Sequence, residues 1–345
     1  MELILIIVFN IVLLFSLNSI FIKNKFLVDK KLLAHKSFVS KNLVPISGGF
    51  LIVANLLLFN SNYLTITFFL AMFLLGIFSD LFIIRSALKK FIIQFLIVIL
   101  FLFFSKISIL STKLVFIDFI IQNKLFSLLF TTFCLLILIN GSNFLDGINT
   151  LVCGYYILVV SVILYIGLNN QINYNFLEFY YLLLTLLIIF LFNFFSKTYL
   201  GDSGTFLVSF LIGSYLINLC NANLSLTKYI SPIFILLLLW YPAFENLFSI
   251  IRKTLNNKNP SKPDNLHLHH LLFMYLKKRI KNKKITNSFT GLLINSYNLF
   301  IFIISAKFYN KTNVLILLVI LNIFIYLASY FFLMQKNKFL SKRYF

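Results

Sequence analysis

The sequence predicts an all-α integral membrane protein that crosses the bilayer many times. Of its 345 residues, 61% are hydrophobic, 11% are charged and 44 are phenylalanine. The mean hydropathy of +0.98 is typical of a polytopic membrane protein rather than of soluble domains. Apolar runs of about 20 residues, the length that crosses the hydrocarbon core as a helix, recur along the chain.

About eleven transmembrane helices are predicted, with ten as the alternative count. Their centres lie near residues 12, 54, 72, 99, 132, 160, 186, 212, 240, 299 and 325. The second run is short and begins with Gly48 and Gly49. The first lacks a basic leader and a small-residue cleavage site, so we expect a retained helix rather than a signal peptide. We expect residues 1–345 to form a single transmembrane domain, with 288–335 as its last two helices.

Basic residues are distributed unequally between the loops on the two sides of the membrane. Of the 30 Lys and Arg, 24 fall on one side and six on the other. The positive-inside rule then places the N-terminus outside and the C-terminus in the cytoplasm. This asymmetry accounts for the net charge of +21 without nucleic acid as a partner. The three cysteines have no paired spacing, so neither a disulfide framework nor a zinc site is predicted from them.

Acidic residues are concentrated on the predicted cytoplasmic face, together with all four histidines. Acids at the hydrocarbon boundary are costly, so they are candidates for a functional site. Six of the nine lie there: Asp29, Asp80, Asp146, Asp202, Glu245 and Asp264. A polar site is therefore predicted on this face.

Asn140, Asn143 and Asp146 recur at intervals of three in NGSNFLDGINTL. On a helix this spacing places them on one face, where two amides and a carboxylate suit hydrogen bonding to a polar ligand. A polar clamp between helices is the alternative. Asp80 ends the third run in GIFSDLFIIRSALKK, where three cations follow it, and a structural ion-pair group is an equal alternative to a site there.

Asp202 stands between two glycines in YLGDSGTFL, in a turn that leads into the eighth run. A carboxylate in this setting suits a metal ligand, and N-capping of the following helix is the alternative. Mg²⁺ takes one or two carboxylates and completes its shell with water and substrate phosphate. Asp202 with one further aspartate fits that preference.

Residues 252–270, RKTLNNKNPSKPDNLHLHH, form one of the few long hydrophilic passages. Pro260 and Pro263 disfavour a helix, because proline removes an amide donor and pushes its predecessor towards extended geometry. Three histidines follow, namely His267, His269 and His270. Among basic neighbours and without cysteine they suit an anion such as pyrophosphate better than zinc, and solvated loop residues are the alternative.

These residues together predict phosphoryl transfer between a nucleotide and a lipid. Carboxylates would hold Mg²⁺, basic residues would bind phosphates, and amides would bind a base or sugar. A site at the ends of membrane spans receives a lipid headgroup from the bilayer and a nucleotide from the cytoplasm. A transporter, with ionisable groups near the midplane and internal repeats, is the alternative from another class, as is a non-catalytic lipid-binding scaffold.

The motifs resemble those of the polyprenyl-phosphate N-acetylhexosamine-1-phosphate transferases of glycosyltransferase family 4, which start bacterial O-antigen, teichoic-acid and related glycan assembly. The match covers about residues 30–275, in order through HKSFVSKNLVPISGG, GIFSD, NGSNFLDG, LGDSG and SKPDNLHLHH. It implies transfer of an N-acetylhexosamine 1-phosphate from a UDP-sugar to undecaprenyl phosphate, with UMP released and Mg²⁺, or alternatively Mn²⁺, as cofactor. Phospho-MurNAc-pentapeptide transferase of peptidoglycan synthesis is the second enzyme implied.

The resemblance also implies roles for single residues. Asp80, Asp146 and Asp202 are expected to be catalytic, with Asp202 and Asp80 at the metal and Asp80 orienting or deprotonating the lipid phosphate. Residues expected to bind the nucleotide sugar and its phosphates are Asn140, Asn143, Asn193, Arg252, Asp264, His267, His269 and His270. Lys36 and Lys41 are expected to contact the acceptor headgroup.

Three positions depart from the family pattern. Ser79 precedes Asp80 where an aspartate pair is usual, so one carboxylate is missing. The usual DGxxG ends here as DGINT, and Thr205 replaces a serine. The resemblance still implies a multi-pass enzyme of the bacterial inner membrane, with the bilayer, the lipid acceptor and the UDP-sugar as partners and a homodimer left open.

Overall fold

The computed structural model describes residues 2–28, 43–60, 62–170, 172, 174–224, 229–260, 262 and 264–342. Over these residues the protein is all-helical, and the β-structure they contain is one isolated bridge between Val28 and Pro45. The predicted fold class is therefore confirmed. The single-domain organisation and the sidedness of the two termini stay predictions.

Fourteen helices occur in the described part of the chain. The first seven are α1 (Glu2–Lys23), α2 (Gly48–Phe59), α3 (Tyr63–Asp80), α4 (Ala87–Ser105), α5 (Val115–Ile121), α6 (Lys124–Leu145) and α7 (Leu151–Asn169). The other seven are α8 (Leu177–Phe194), α9 (Gly201–Asn223), α10 (Pro232–Leu238), α11 (Trp240–Leu255), α12 (Leu268–Lys277), α13 (Lys283–Ala306) and α14 (Thr312–Lys342).

Nine of the described helices are long and apolar enough to cross a membrane, namely α1, α3, α4, α6, α7, α8, α9, α13 and α14. A tenth span results if α10 and α11, which are bent by 73° where they meet, are taken together. The 12-residue α2 is only about 18 Å long at 1.5 Å per residue, shorter than the ~30 Å hydrocarbon core. All eleven predicted centres fall on helices, but the second is a half-length helix and the ninth a broken one.

The hydrophilic passage 252–270 is more helical than its prolines suggest. Helix α11 continues to Leu255, and α12 begins at Leu268. His269 and His270 therefore lie on a helix rather than in a loop, because the apolar side chains that follow them pack into the core. Pro260 lies in the non-helical segment between the two helices.

Helix α9 is the centre of the bundle and packs mainly against α3, α6 and α2. The packing against α3 depends on Gly76, since a Cβ built there would lie 2.2 Å from Ser203 Cα. This close approach brings the C-terminal end of α3 against the N-terminal end of α9. The two aspartates at these ends, Asp80 and Asp202, are neighbours for this reason.

Candidate active site

A cleft of about 1010 Å³ opens at one end of the bundle, where α3, α6 and α11 end and α4 and α9 begin. The structure brings eight of the expected site residues into its lining: Asp80, Asn140, Asn143, Asp146, Asp202, Asp264, His267 and His270. They come from four separate stretches of the chain. Three of the acids, Asp80, Asp146 and Asp202, lie at helix ends on one face.

Asp80 caps the helix that carries Asp202. Its Oδ1 accepts from the backbone N–H of Asp202 at 2.9 Å, and its Oδ2 accepts from the backbone N–H and the hydroxyl of Ser203 at 3.0 and 2.7 Å. A carboxylate here satisfies N–H groups that have no partner within the helix and interacts favourably with the helix dipole. Gly201, with φ +69°, leaves room for it, because a Cβ there would lie 2.7 Å from Asp80 Oδ2.

The carboxylate of Asp202 lies in the cleft beside a serine and a lysine. Its Oδ2 accepts from the hydroxyl of Ser79 and lies 3.1 Å from Lys90 Nζ. An aspartate at position 79 would put a second negative charge next to Asp202, whereas the serine donates a hydrogen bond. The departure at Ser79 therefore lowers the negative charge at this point of the cleft. Asp202 sits in the first turn of α9 and is not the N-cap, which is Leu200.

The two acids expected at a metal differ in how well they fit one. Asp202 fits, because its carboxylate lies in the cleft and Mg²⁺ needs only one or two carboxylates. Asp146 offers a second carboxylate in the same lining. Asp80 fits poorly, since its two oxygens already accept three hydrogen bonds from α9. No group of three or more His, Cys, Asp or Glu side chains suited to a metal occurs among the described residues.

The stripe of Asn140, Asn143 and Asp146 lies along the cleft at the end of α6. Asn140 Nδ2 donates to Gln94 Oε1 at 3.0 Å, and Asn143 Oδ1 accepts from the Thr205 hydroxyl at 3.4 Å. The stripe therefore both links neighbouring helices by hydrogen bonds and lines the cleft. The contacts with α4 and α9 fix the orientation of each amide towards the cleft.

Arg252 is not in the cleft lining, and its guanidinium holds Asp264. The two nitrogens lie 2.9 and 3.2 Å from the two carboxylate oxygens. Burial raises the pKa of Asp264, but the hydrogen bond from Arg252 and the neighbouring positive charges outweigh it, and the pKa lies below its usual value. Of these two adjacent cations it is Lys253 that lines the cleft, and its Nζ donates to the carbonyl oxygens of Pro260 and Lys262 at 3.1 and 2.7 Å.

The three histidines have different positions. His267 and His270 line the cleft, whereas His269 is fully buried behind them with its ring 4.4 Å from that of His270. Burial, and then the charges of His270 and His267, hold the pKa of His269 well below its usual value. His267 Nδ1 lies 2.9 Å from Glu245 Oε1, and its Nε2 lies 3.5 Å from Asp264 Oδ1.

Asn193 is buried away from the cleft lining. Its Oδ1 accepts from the backbone N–H of Thr150 at 2.6 Å, and its Nδ2 donates to the carbonyl of Thr198 at 2.9 Å. Thr150 has φ +66°, a conformation that costs energy for a β-branched residue, so Asn193 supports the turn that follows the stripe. This role differs from the expected contact with the nucleotide sugar. Lys36 and Lys41 lie outside the described residues.

Sequence reasoning counted Glu245 among the acids of this face but gave it no role, and it did not single out Lys253 or Gln94. Glu245 had a signal, because it is an acid in the apolar stretch WYPAFENLF at the expected face. Lys253 and Arg252 are adjacent and chemically similar, so only the structure shows which one faces the cleft. Gln94 lies inside an apolar run and is fully buried against Asn140.

Part of this cleft lies in a segment that matches a known protein family. The model of glycosyl transferase family 4 matches residues 62–220. That interval contains Asp80, Asp146 and Asp202 but ends before Asp264 and the histidines.

Three curated relatives match segments of 117 to 171 residues. A probable undecaprenyl-phosphate N-acetylglucosaminyl 1-phosphate transferase of Bacillus subtilis is 29% identical over 143 residues, which are 39% of this chain and 37% of the relative. An undecaprenyl-phosphate alpha-N-acetylglucosaminyl 1-phosphate transferase of Thermotoga maritima is 32% identical over 117 residues, 33% of this chain and 34% of the relative. A decaprenyl-phosphate N-acetylglucosaminephosphotransferase of Mycolicibacterium smegmatis is 26% identical over 171 residues, 44% of this chain and 42% of the relative. The chain thus spans less than half the length of the curated relatives it matches.

Proposed function

We propose that the chain, which matches the model of glycosyl transferase family 4 over residues 62–220, transfers an N-acetylhexosamine 1-phosphate from a UDP-sugar to undecaprenyl phosphate and releases UMP. The names of the three relatives support a polyprenyl phosphate as acceptor and N-acetylglucosamine 1-phosphate as the group transferred. The observation that carries the proposal is that carboxylates, the stripe of Asn140, Asn143 and Asp146, and several cationic side chains line one cleft. The proposed location is the bacterial cytoplasmic membrane, and the proposed product starts a cell-surface glycan of the O-antigen type.

One side of the cleft suits a lipid acceptor. Apolar side chains from α4, α6 and α11 line it, among them Leu88, Phe91, Phe133, Leu136, Ile137, Leu247 and Ile250. A polyprenyl chain fits such a wall because burying its apolar surface is favourable. Arg85 and Lys90 lie in the same lining, where their positive charges favour the phosphate headgroup.

The other side suits the nucleotide sugar. Lys253, Lys262, His267 and His270 line it, and their nitrogens can bind the donor diphosphate. Asn140 and Asn143 add an acceptor and a donor for the sugar or base. The two substrates would meet in this cleft, which Asp202 also lines.

In the proposed reaction a phosphate oxygen of the lipid attacks the β-phosphorus of the UDP-sugar. A phosphorus–oxygen bond forms, the bond from that phosphorus to the bridging oxygen breaks, and its electron pair leaves with UMP. Lys90 orients the lipid phosphate, His267 and Lys253 hold the diphosphate, and Asp80 keeps Asp202 in place. When bound, Mg²⁺ supplies charge neutralisation for the diphosphate, and Asp202, with Asp146 on the same cleft, would hold it.

The position of the acids disfavours a transporter. Carboxylates of a transport site lie near the bilayer midplane. Here Asp80, Asp146 and Asp202 stand at helix ends, at one end of the bundle. Phosphoryl transfer at the membrane surface is the reaction that this placement supports.

The test is an assay of UMP release by purified protein in detergent. The protein is given undecaprenyl phosphate, Mg²⁺ and, in turn, UDP-GlcNAc, UDP-GalNAc and UDP-MurNAc-pentapeptide. We expect UMP only when lipid and Mg²⁺ are both present, with the productive sugar naming the donor. Asp202→Asn should remove the activity while the protein still unfolds cooperatively. Folded wild-type protein that releases no UMP from any donor would overturn the proposal.

A further inference from the structure

A buried carboxylate contacts both α14, the last described helix, and a histidine of the cleft. Glu245 on α11 is only 1% exposed, and it accepts three hydrogen bonds. Its Oε1 accepts from His267 Nδ1 at 2.9 Å and from the backbone N–H of Leu268 at 3.2 Å. Its Oε2 accepts from the hydroxyl of Tyr326 at 2.9 Å. A buried carboxylate is stable only with such partners, so its orientation is set by them.

Tyr326 comes from α14, beyond the segment that the family model matches and outside the cleft lining. It is 2% exposed, and its ring packs edge-on against Phe244 and Phe248 at 4.9 and 5.4 Å. These contacts fix the ring, and the hydroxyl is its polar end. Because the ring is fixed, the hydroxyl determines where Glu245 Oε2 points, and therefore where Oε1 points.

The carboxylate in turn sets the orientation of the His267 ring. A carboxylate oxygen accepts, so Nδ1 of His267 carries the hydrogen in this bond. The other nitrogen, Nε2, faces Asp264 Oδ1 at 3.5 Å and the cleft, so a hydrogen on Nε2 also points towards an anionic acceptor. A partner behind a histidine ring commonly fixes both the tautomer and the ring orientation.

We infer that Tyr326 is a positioning residue for the reaction, acting through Glu245 on His267. Its hydroxyl holds the carboxylate so that His267 can donate its Nε2–H to the diphosphate of the nucleotide sugar. This inference rests on the proposed transferase function. It extends the site to the last helix, which carries no sequence motif.

Tyr330 provides a matched control on the same helix, one turn further on. It is 3% exposed, and its ring packs on Phe248 at 4.8 Å. Its hydroxyl has no hydrogen-bond partner among the described residues. Tyr326→Phe and Tyr330→Phe therefore remove the same atom from similar surroundings, but only the first removes a bond to Glu245.

The kinetic test measures UMP release by both variants, alone and in a His267→Ala background. We expect Tyr326→Phe to lower kcat about tenfold, equal to ~1.4 kcal/mol, with KM little changed. Tyr330→Phe should keep the wild-type kcat. In the His267→Ala background Tyr326→Phe should cause no further loss. Equal rates for the two phenylalanine variants would overturn the inference. So would an equally large loss of kcat from Tyr326→Phe in the His267→Ala background.

A second readout does not need activity and separates this inference from the proposed function. The chain has four histidines, so ¹⁵N-histidine spectra can be assigned with His267→Ala. We expect wild-type His267 to carry hydrogens on Nδ1 and Nε2, with a shifted Nδ1 signal in Tyr326→Phe and an unchanged one in Tyr330→Phe. If wild type releases no UMP but shows this pattern, the proposed function fails and the positioning stands. An unchanged signal in Tyr326→Phe overturns the positioning.

Discussion

Asp80 Oδ1 accepts a hydrogen bond from the backbone N–H of Asp202 at 2.9 Å. The last residue of α3 thus caps the helix that carries the cleft carboxylate. Two aspartates that look equivalent in the sequence have different surroundings: one holds a helix end, and the other faces Lys90 and Ser79 in the cleft. Their substitutions should therefore have different effects.

Asp80→Asn should lower both stability and activity, whereas Asp202→Asn should lower mainly activity. Loss of the cap charge is expected to reduce the free energy of unfolding by about 1–2 kcal/mol. Asp202 lines the open cleft and caps no helix, so its neutralisation should shift the thermal midpoint less. Thermal unfolding in detergent and UMP release measured on the same samples check this. Equal midpoints for the two variants would contradict the cap assignment.

Lys90→Gln should lower the Mg²⁺ concentration that gives half-maximal UMP release. The lysine ammonium, 3.1 Å from Asp202 Oδ2, competes with a divalent ion for that carboxylate. Removing a partly buried pair worth ~1 kcal/mol should shift the half-maximal concentration about fivefold. Lys89→Gln removes an exposed neighbouring lysine and should leave it unchanged. The same Mg²⁺ titration for both variants would argue against Asp202 as the metal ligand.

His269 should make the protein less stable as the pH falls below about 6.5. Its folded-state pKa is lowered by burial, so the unfolded chain takes up a proton that the native protein does not. Stability is therefore retained above the unfolded-state pKa and lost below it, by up to ~1.4 kcal/mol per pH unit. His269→Gln should reduce the fall in thermal midpoint between pH 7.5 and 5.5. If the thermal midpoint of the variant falls as far between these pH values as that of the wild type, His269 is not the group responsible.

Gly76→Ala should separate α3 from α9 and disturb the Asp80 cap. The new methyl group would lie 2.2 Å from Ser203 Cα, and overpacking of this kind costs about 1–3 kcal/mol. We expect a lower thermal midpoint and a large loss of UMP release. Leu74→Ala is the control, because Leu74 is 49% exposed on the same helix. A Gly76→Ala protein that unfolds like wild type would refute the close contact.

The sequence predicted the membrane fold and the stripe well, because both follow from strict geometry. Spanning helices must satisfy every backbone polar group internally, so long apolar runs identify them. Asn140, Asn143 and Asp146 share a face because a helix repeats every 3.6 residues. Neither inference needs knowledge of distant contacts.

The sequence failed where the role of a residue depends on which neighbour it meets. Asp80 was expected at the metal, but the close contact at Gly76 turns its oxygens to α9. Arg252 was expected in the cleft, yet Asp264 holds it outside the lining and Lys253 takes that place. Long-range packing determines which neighbour each of these side chains meets, and it cannot be deduced from the local pattern of a single sequence.

The central position of α9 also bears on how the protein is made. It is the least apolar of the nine described spans, with a mean hydropathy of 1.5, and the most buried. Its main neighbours, α2, α3 and α6, all precede it in the chain. When α9 leaves the insertion machinery, the helices that cover its polar groups are already in the bilayer. The carboxylate part of the cleft can therefore assemble before the segment that carries His267 and His270 packs against it.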